Sequence, residues 1–247
     1  MIKVLVVLVN YGEEQLNYLQ QVVTEFKSFK KYKVFIVVHS NIPLEGIKGI
    51  DETLVMELED YQLLPMTCRQ TIDDNSKDYD YYIFSENDHL WKEYHIDNYI
   101  EYEKILPLDR VAGLIQYEEN DTGRFYPAYH AHYEWDWDSV EEYGNKKFAH
   151  FTNIHQASFI LSKEKLAQIK EQQDFTQFFS NDHYSVKCKT NTDIYEHAGM
   201  KKLICISEFE SNLIHHLPNI YINGDSGRNM LGSNEDRMQF SIKTLLQ

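Results

Sequence analysis

Short apolar runs that alternate with amphipathic segments are the feature that most constrains how this chain can fold. Residues 2–9 form a continuous β-branched run, which is typical of a strand covered on both faces. Residues 13–30 instead place apolar side chains at helical spacing, with lysines near the end, where the helix dipole favours them. Further strands are predicted over 34–38, 53–58, 79–85, 111–116, 157–162 and 202–207, and further helices over 65–75, 93–106, 163–173 and 191–199. This order predicts an α/β fold with a mainly parallel sheet flanked by helices.

The length of the chain and the weaker periodicity of its second half predict how that fold is divided. The chain has 247 residues, enough for a sizeable core, and we expect a single domain. Residues 1–116 carry the regular alternation and form its first half. Residues 117–223 are less regular, with many aromatic, histidine and acidic side chains, and form its second half. The segment 224–247 begins with Gly, Asp, Ser and Asn and is expected to be a mobile tail.

Charge and cysteine content narrow the classes of function. Thirty-nine acidic residues against 24 basic ones give a formal net charge of −15, which disfavours nucleic-acid binding. A phosphate-bearing substrate would therefore need local positive charge or a metal. Three cysteines without a C-x-x-C pair indicate neither a disulfide framework nor a structural zinc site, and they favour a reducing, cytoplasmic compartment. No membrane-spanning segment is predicted.

The sharpest local motif lies where the strand over 79–85 ends in Glu86-Asn87-Asp88. On extended backbone the two carboxylates would point to the same side, and they would repel unless a cation lay between them. A divalent metal is the simplest partner for such oxygen ligands. The alternative is a solvated strand end followed by a helix N-cap. Asn10 and His39 also end predicted strands, so all these residues should share the carboxyl edge of the sheet, where α/β proteins bind ligands.

Four segments of the chain resemble the GT-A family of nucleotide-sugar-dependent glycosyltransferases. The strand ending in Glu86-Asn87-Asp88 is similar to the family's Asp-x-Asp motif, with Glu in place of the first Asp. Residues 155–162 resemble the strand that follows the acceptor loop, and Glu196 matches an acidic residue at a helix start. The segment 213–219 contains His215-His216, similar to the late histidine that completes the metal shell. The resemblance covers most of residues 1–222 and implies a Rossmann-like, nucleotide-binding first half and an acceptor-binding second half.

The resemblance also implies a set of site residues. The metal, Mn²⁺ or else Mg²⁺, would be held by Asp88, by Glu86 and by His216 rather than His215, because adjacent side chains diverge. Glu86 could contact the ribose instead. The nucleotide-sugar donor would be bound at the strand ends, with Arg69 as a possible diphosphate contact and a surface arginine as the alternative. The candidate donor-binding residues are Asn10, Tyr11, His39, Ser40, Arg69 and Glu86.

The acceptor side of the reaction is predicted from the second half of the chain. An inverting enzyme needs a carboxylate that takes the proton of the acceptor hydroxyl, and Glu196 with neighbouring Asp193 are the candidates. Helix capping explains Asp193 equally well. Residues 126–137 interleave aromatic and acidic side chains, which suits either a sugar-binding platform or a compact aromatic loop on the core.

Three hypotheses of function follow. The first is a metal-dependent glycosyltransferase of polysaccharide biosynthesis, which moves a hexosyl or related group from a nucleotide sugar to a glycan or lipid-linked acceptor. It would be cytoplasmic, or peripheral at a membrane through that acceptor. The second is a non-catalytic carbohydrate-binding protein with the same fold. The third is a metal-dependent phosphoester hydrolase, suggested by eleven histidines and abundant acids.

Overall fold

The structure, a computed structural model, divides into two compact units. It describes residues 1–127, 135–152, 157–177, 186, 194–195, 197–224 and 232–247. The first unit comprises Met1–Glu93 and Gln156–Gly199, and the second comprises Tyr94–His155 and Met200–Gln247. This division differs from the predicted halves 1–116 and 117–223, because each unit is built from two separate stretches of chain.

The helices and strands follow the predicted alternation through the first half of the chain. In chain order they are β1 (Ile2–Asn10), α1 (Leu16–Ser28), β2 (Tyr32–Ser40), β3 (Glu52–Val55), α2 (Leu64–Asp74), β4 (Tyr81–Glu86), β5 (His89–Leu90), α3 (Glu93–Glu103), β6 (Arg110–Ala112), β7 (Ile115–Asn120), β8 (Gly123–Pro127), β9 (Glu141–Tyr143), β10 (Lys146–Ala149), β11 (Ser158–Ser162), α4 (Lys163–Gln172), β12 (Lys201–Cys205), β13 (Leu213–His216), β14 (Gly232–Asn234) and α5 (Glu235–Leu245).

The first unit is built on a mixed, mainly parallel sheet with the strand order β11-β4-β1-β2-β3. β1 runs parallel to β2 and β4, β3 runs parallel to β2, and β11 is antiparallel to β4. β1 is buried without interruption from Val4 to Asn10, as its β-branched run predicts. The α/β prediction is therefore confirmed.

Helices α1 and α2 each bury one apolar face. α1 buries Leu19, Val22, Val23 and Phe26. α2 buries a face that includes Leu64, Cys68 and Ile72. The chain leaves β1 for β2 and β3 on one side and returns to β4 on the other side, so the strand order reverses between β1 and β4. In open α/β sheets such a reversal opens a crevice at the carboxyl ends of the strands.

The second unit contains two further sheets. In one of them β6, β12, β10 and β9 are neighbours in that order, and in the other β14, β8, β7 and β13 are. The single strand predicted over 111–116 is thus two strands that belong to different sheets. The break falls at Gly113, where a Cβ atom would lie 2.7 Å from the Lys202 side chain.

The expectation of a mobile tail over 224–247 is wrong for its ordered end. β14 pairs with β8, and α5 buries Met238, Ile242 and Leu245 in the hydrophobic core of the second unit. These three side chains have the spacing of an amphipathic helix. The prediction of a mobile tail relied instead on the polar residues that precede this helix. Residues 225–231 lie outside the described part of the chain. Among the described residues, no helix combines the length and the apolar character needed to cross a bilayer.

Candidate metal site at the carboxyl edge of the first unit

A buried network of polar side chains ties the strand ends of the first unit together. The Asn10 amide donates to Ser40 Oγ at 3.1 Å, and the Asn87 amide donates to Asn10 Oδ1 at 2.6 Å. All three side chains are buried. The ends of β1, β2 and β4 therefore share one edge, as expected. Asn10 and Ser40 thus hydrogen-bond to each other at that edge, and donor binding by them stays a prediction.

Three potential metal ligands converge beside this network. One ligand atom each from Glu86, Asp88 and His89 lies within 4.8 Å of the other two. Metal–oxygen bonds of about 2.0–2.6 Å place any two ligands of one ion within roughly 5 Å of each other, so the spacing fits a single divalent ion. Carboxylate oxygens are ligands of Mg²⁺ and Mn²⁺, and imidazole nitrogen is a ligand of transition metals such as Zn²⁺ and Fe²⁺, so this donor set is compatible with several divalent ions.

Burial and local charge distinguish the members of the Glu86–Asp88–His89 cluster. Asp88 and His89 are buried, whereas Glu86 is half-buried. His89 Nδ1 lies 3.3 Å from Asp88 Oδ1. A buried carboxylate that keeps its charge needs a compensating cation or donors, and a metal bound at this cluster would supply that compensation.

The geometry of the cluster arises from a turn and not from strand alternation. β4 ends at Glu86, residues 87–88 form a turn, and β5 starts at His89. Glu86 and Asp88 are therefore brought together by chain reversal, and the same turn brings in His89. The sequence analysis did not include His89 among the candidate ligands, although it directly follows the acidic motif.

The strand beneath the cluster is anchored by buried hydrogen bonds. Ser85 Oγ lies 2.8 Å from Ser158 Oγ of the antiparallel neighbour β11. The Trp91 indole donates to the same Ser85 Oγ at 3.1 Å, and its ring stacks on Phe26. These contacts flank Glu86–Asp88–His89 on both sides in the sequence and give the turn a rigid base.

His39, which was predicted to bind the donor, contacts two side chains of helix α2. Its Nδ1 lies 2.6 Å from Thr67 Oγ1 and its Nε2 lies 2.8 Å from Thr71 Oγ1. Burial lowers the pKa of His39 to about 4, so the ring is neutral near pH 7. Both ring nitrogens have threonine partners on α2, so these contacts connect α2 to β2, and donor binding by His39 stays a prediction.

Tyr11 is the predicted donor-binding residue that solvent reaches most readily. Its side chain is 63% exposed just beyond the end of β1. Its ring centroid lies 5.5 Å from that of Tyr61, which belongs to a 3₁₀ turn before α2. The following turn is held by the Gly12 N–H, which donates to Asn41 Oδ1 at 2.7 Å. An aromatic pair with one exposed ring, Tyr11, and one half-buried ring, Tyr61, thus lies at the carboxyl edge.

Arg69 was predicted to be either a diphosphate contact or a surface arginine. The surface alternative is wrong. It is fully buried on the inner face of α2, and its guanidinium carbon lies 4.9 Å from the centroid of the Phe175 ring. A diphosphate contact from Arg69 would require this packing to open. The helical stripe Leu64, Cys68 and Ile72 includes position 69, and that is why the side chain points inward.

The predicted late histidine lies in the second unit, on β13. His216 Nδ1 is 2.6 Å from Glu118 Oε1, and its ring stacks on Tyr221 with centroids 5.4 Å apart. His215 instead stacks on Tyr117 and lies 3.1 Å from Asn219 Oδ1 through its Nε2. The two adjacent histidines have different surroundings, as expected. Metal binding by His216 stays a prediction.

The predicted acceptor residues are described in part. Asp193 and Glu196, the candidate catalytic acids, lie outside the described residues, as do residues 128–134 of the aromatic stretch. Tyr126 and Trp135 belong to the core of the second unit, which favours the compact-loop alternative for these two rings. Trp137 is 48% exposed.

Comparison with known proteins gives no relative, so the geometry of the Glu86–Asp88–His89 cluster is the guide to function. No protein-family model matches the chain, and a search of curated proteins returns no significant match.

Proposed function

We propose that this protein is a metal-dependent glycosyltransferase that uses a nucleotide-sugar donor. The observation that carries the proposal is the convergence of Glu86, Asp88 and His89 at the carboxyl edge of a mainly parallel sheet, next to the reversal of strand order. Ligands of open α/β sheets bind at such reversals. The resemblance of Glu86-Asn87-Asp88 to the Asp-x-Asp motif of GT-A enzymes supports the same conclusion.

Glu86, Asp88 and His89 have different roles in the proposed metal site. Buried Asp88 would be the direct ligand of Mn²⁺ or Mg²⁺, and His89 would add a nitrogen donor. Half-buried Glu86 is the member that can reach either the ion or the ribose. An ion held by these residues would supply positive charge to neutralise the negative charge of a departing nucleoside diphosphate.

The donor lies along the carboxyl edge of the first unit. Tyr11, with Tyr61 behind it, offers an exposed aromatic face for the base. The Asn10–Ser40–Asn87 network holds this edge rigid. The strand order with antiparallel β11 beside β4 supports a Rossmann-like, GT-A-type arrangement for this unit.

The acceptor is a glycan or a lipid-linked saccharide, bound by residues of the less regular part of the chain. Glu196, with Asp193 beside it, is the proposed base that takes the proton of the acceptor hydroxyl in an inverting reaction. The enzyme would act in the cytoplasm, or at a membrane surface through its acceptor, in polysaccharide biosynthesis.

The test measures metal-dependent binding of nucleoside diphosphates by titration calorimetry with and without Mn²⁺. We expect Asp88→Asn to weaken Mn²⁺-dependent binding by more than roughly tenfold, since changes outside the ligand shell alone cost about 10- to 100-fold. Asp78→Asn is the matched control, because it removes the same charge from an exposed residue near the other end of β4.

Three results separate the hypotheses. Slow hydrolysis of a nucleotide sugar by the wild type, lost in Asp88→Asn and kept in Asp78→Asn, supports the transferase. Glycan binding without donor hydrolysis would favour a non-catalytic carbohydrate-binding protein. If no nucleoside diphosphate binds, or if binding ignores both Mn²⁺ and Asp88→Asn, the proposal fails.

A further inference from the structure

One of the three tryptophans of this protein is exposed at the tip of a tight turn in the second unit. The Trp137 side chain is 48% exposed, whereas the other two tryptophans are buried. The backbone N–H of Ser139 donates to Asp136 O at 3.1 Å, which closes a β-turn with Trp137 and Asp138 at its two central positions. Tryptophan is among the residue types enriched where proteins bind partners. The turn therefore presents a large aromatic face to solvent.

Hydrogen bonds beneath this turn hold its backbone in place. Ser139 is buried, and its Oγ donates to Asp136 O at 2.5 Å and accepts from the backbone N–H of His150 at 2.8 Å. In the other direction, the Asp136 N–H donates to His150 O at 3.0 Å. Trp135, directly before the turn, belongs to the hydrophobic core of the unit. A ligand that stacks on Trp137 would thus meet a preformed surface, and little conformational entropy would be lost on binding.

The polar groups beside Trp137 discriminate among classes of ligand. Asp136 and Asp138 flank the indole in the sequence, and Asp138 is exposed. Asp136 lies 3.8 Å from Lys201 Nζ and accepts from the Asp138 N–H at 3.3 Å. Carboxylates repel anions, which disfavours phosphates, nucleotides and anionic lipid headgroups. Carboxylates also accept hydrogen bonds and an ammonium group donates them, so a neutral ligand rich in hydroxyl groups would find both kinds of partner beside an apolar face.

We propose that the turn at residues 136–139 is a saccharide-binding subsite, in which the Trp137 indole stacks on the C–H face of a pyranose ring. The face of an aromatic ring is electron-rich and the C–H groups of a pyranose carry partial positive charge, so the two faces attract each other as water is excluded. The Asp138 carboxylate would accept from hydroxyl groups at the edge of the sugar. The inference rests on the proposed function for its class of ligand, because the acceptor there is a glycan or a lipid-linked saccharide. It concerns the second unit alone.

The test follows ¹⁹F spectra of the protein labelled with fluorotryptophan, in which the Trp137 resonance is assigned with the variant Trp137→Phe. The probes are lactose, maltose, cellobiose and mannobiose, each added with and without Mn²⁺ and UDP. We expect at least one of these neutral disaccharides to shift the Trp137 resonance and to leave those of the two buried tryptophans in place. Saturation-transfer difference spectra of the same disaccharide should show binding weakened by about tenfold or more in Trp137→Ala.

Matched variants in the second unit separate stacking and hydrogen bonding from general effects. Phe240→Ala removes an aromatic ring that is 69% exposed on α5, and it should leave saccharide binding unchanged. Asp138→Asn should weaken saccharide binding by about two- to tenfold, because it removes a charged acceptor. Asp121→Asn removes the same charge from the exposed turn between β7 and β8 and should not weaken binding. Equal losses in Trp137→Ala and Phe240→Ala would contradict the subsite.

The outcomes for this subsite and for the proposed function can be told apart. If a disaccharide binds and its binding is lost in Trp137→Ala while no nucleoside diphosphate binds, the subsite stands and the transferase proposal fails. If Asp88→Asn weakens Mn²⁺-dependent diphosphate binding while no disaccharide shifts the Trp137 resonance, the subsite is overturned and the transferase proposal stands. A Trp137 resonance that responds to tetramethylammonium but to none of the disaccharides would indicate a cation site, and it would also overturn the inference.

Discussion

At the scale of single residues, several polar side chains in the described part of the chain are buried against specific partners. His39 is placed between two threonine hydroxyls and is neutral near pH 7, because burial lowers its pKa to about 4. Buried Glu118 lies 2.6 Å from His216 Nδ1 through its Oε1 and accepts from the backbone N–H groups of Tyr221 and Ile222 through its Oε2. The surroundings of each side chain, which the residue type alone does not reveal, are therefore set by partners distant in sequence.

The depressed pKa of His39 predicts acid sensitivity. In the unfolded chain His39 binds a proton below its ordinary pKa of about 6.5, while in the folded protein it does so only near pH 4. Its contribution to stability is therefore present above pH 6.5 and is lost as the pH falls towards 4, by up to about 1.4 kcal/mol per pH unit. Urea unfolding at a series of pH values measures this slope.

The substitution His39→Gln is expected to make that slope shallower between pH 6.5 and 4. Some slope should remain, because burial also lowers the pKa of His150. An unchanged slope in His39→Gln would contradict the assignment of a buried, neutral His39.

At the scale of elements, small backbone features decide where strands end and which sheet they join. A turn at residues 87–88 closes β4 and forms the Glu86–Asp88–His89 cluster. Gly113 separates β6 from β7, and its N–H donates to Leu203 O at 2.9 Å. The buried stem of Lys202 occupies the space where a side chain at position 113 would stand.

Gly113→Ala should therefore destabilise the second unit. The new Cβ would lie 2.7 Å from Lys202 Cγ and Cδ, and relief requires a buried side chain to move, which costs about 1–3 kcal/mol. Chemical denaturation of Gly113→Ala, of Lys202→Ala and of the double variant measures the coupling. We expect the double variant to lose less stability than the sum of the single variants, and strict additivity would count against the clash.

At the scale of the whole molecule, each compact unit is assembled from two distant stretches of chain. β11 and α4 join the first unit from beyond residue 156, and β12, β13, β14 and α5 join the second from beyond residue 200. The last helix completes the second core, in which Met238, Ile242 and Leu245 pack with Tyr126 and Trp135. The C-terminal segment is thus a structural part of its unit.

Ile242→Ala should cost about 2–5 kcal/mol in the free energy of unfolding, because it leaves a cavity in this core. Phe240→Ala is the control on the same helix, since its side chain is 69% exposed and its loss should change stability by about 0.5 kcal/mol or less. Hydrogen exchange should quicken in β7 and β8 for Ile242→Ala alone. Equal effects of the two substitutions would mean that α5 does not support the core.

The sequence by itself determined the α/β class and the edge on which the candidate site lies. Both follow from local signals, since periodicity distinguishes strands from helices and parallel strands bring their carboxyl ends to one edge. The placement of Asn10, Ser40 and Glu86 at the ends of β1, β2 and β4, with Asp88 directly after β4, was predictable in this way.

The tertiary structure alone decided which neighbours these polar residues have. It buried Arg69 under Phe175, closed His39 between two threonines, added His89 to the carboxylates and paired His216 with Glu118, 98 residues away. It also ordered α5. Partners distant in sequence leave no trace in local periodicity, so burial and hydrogen bonding, which determine charge and reach, emerge only when the chain is packed.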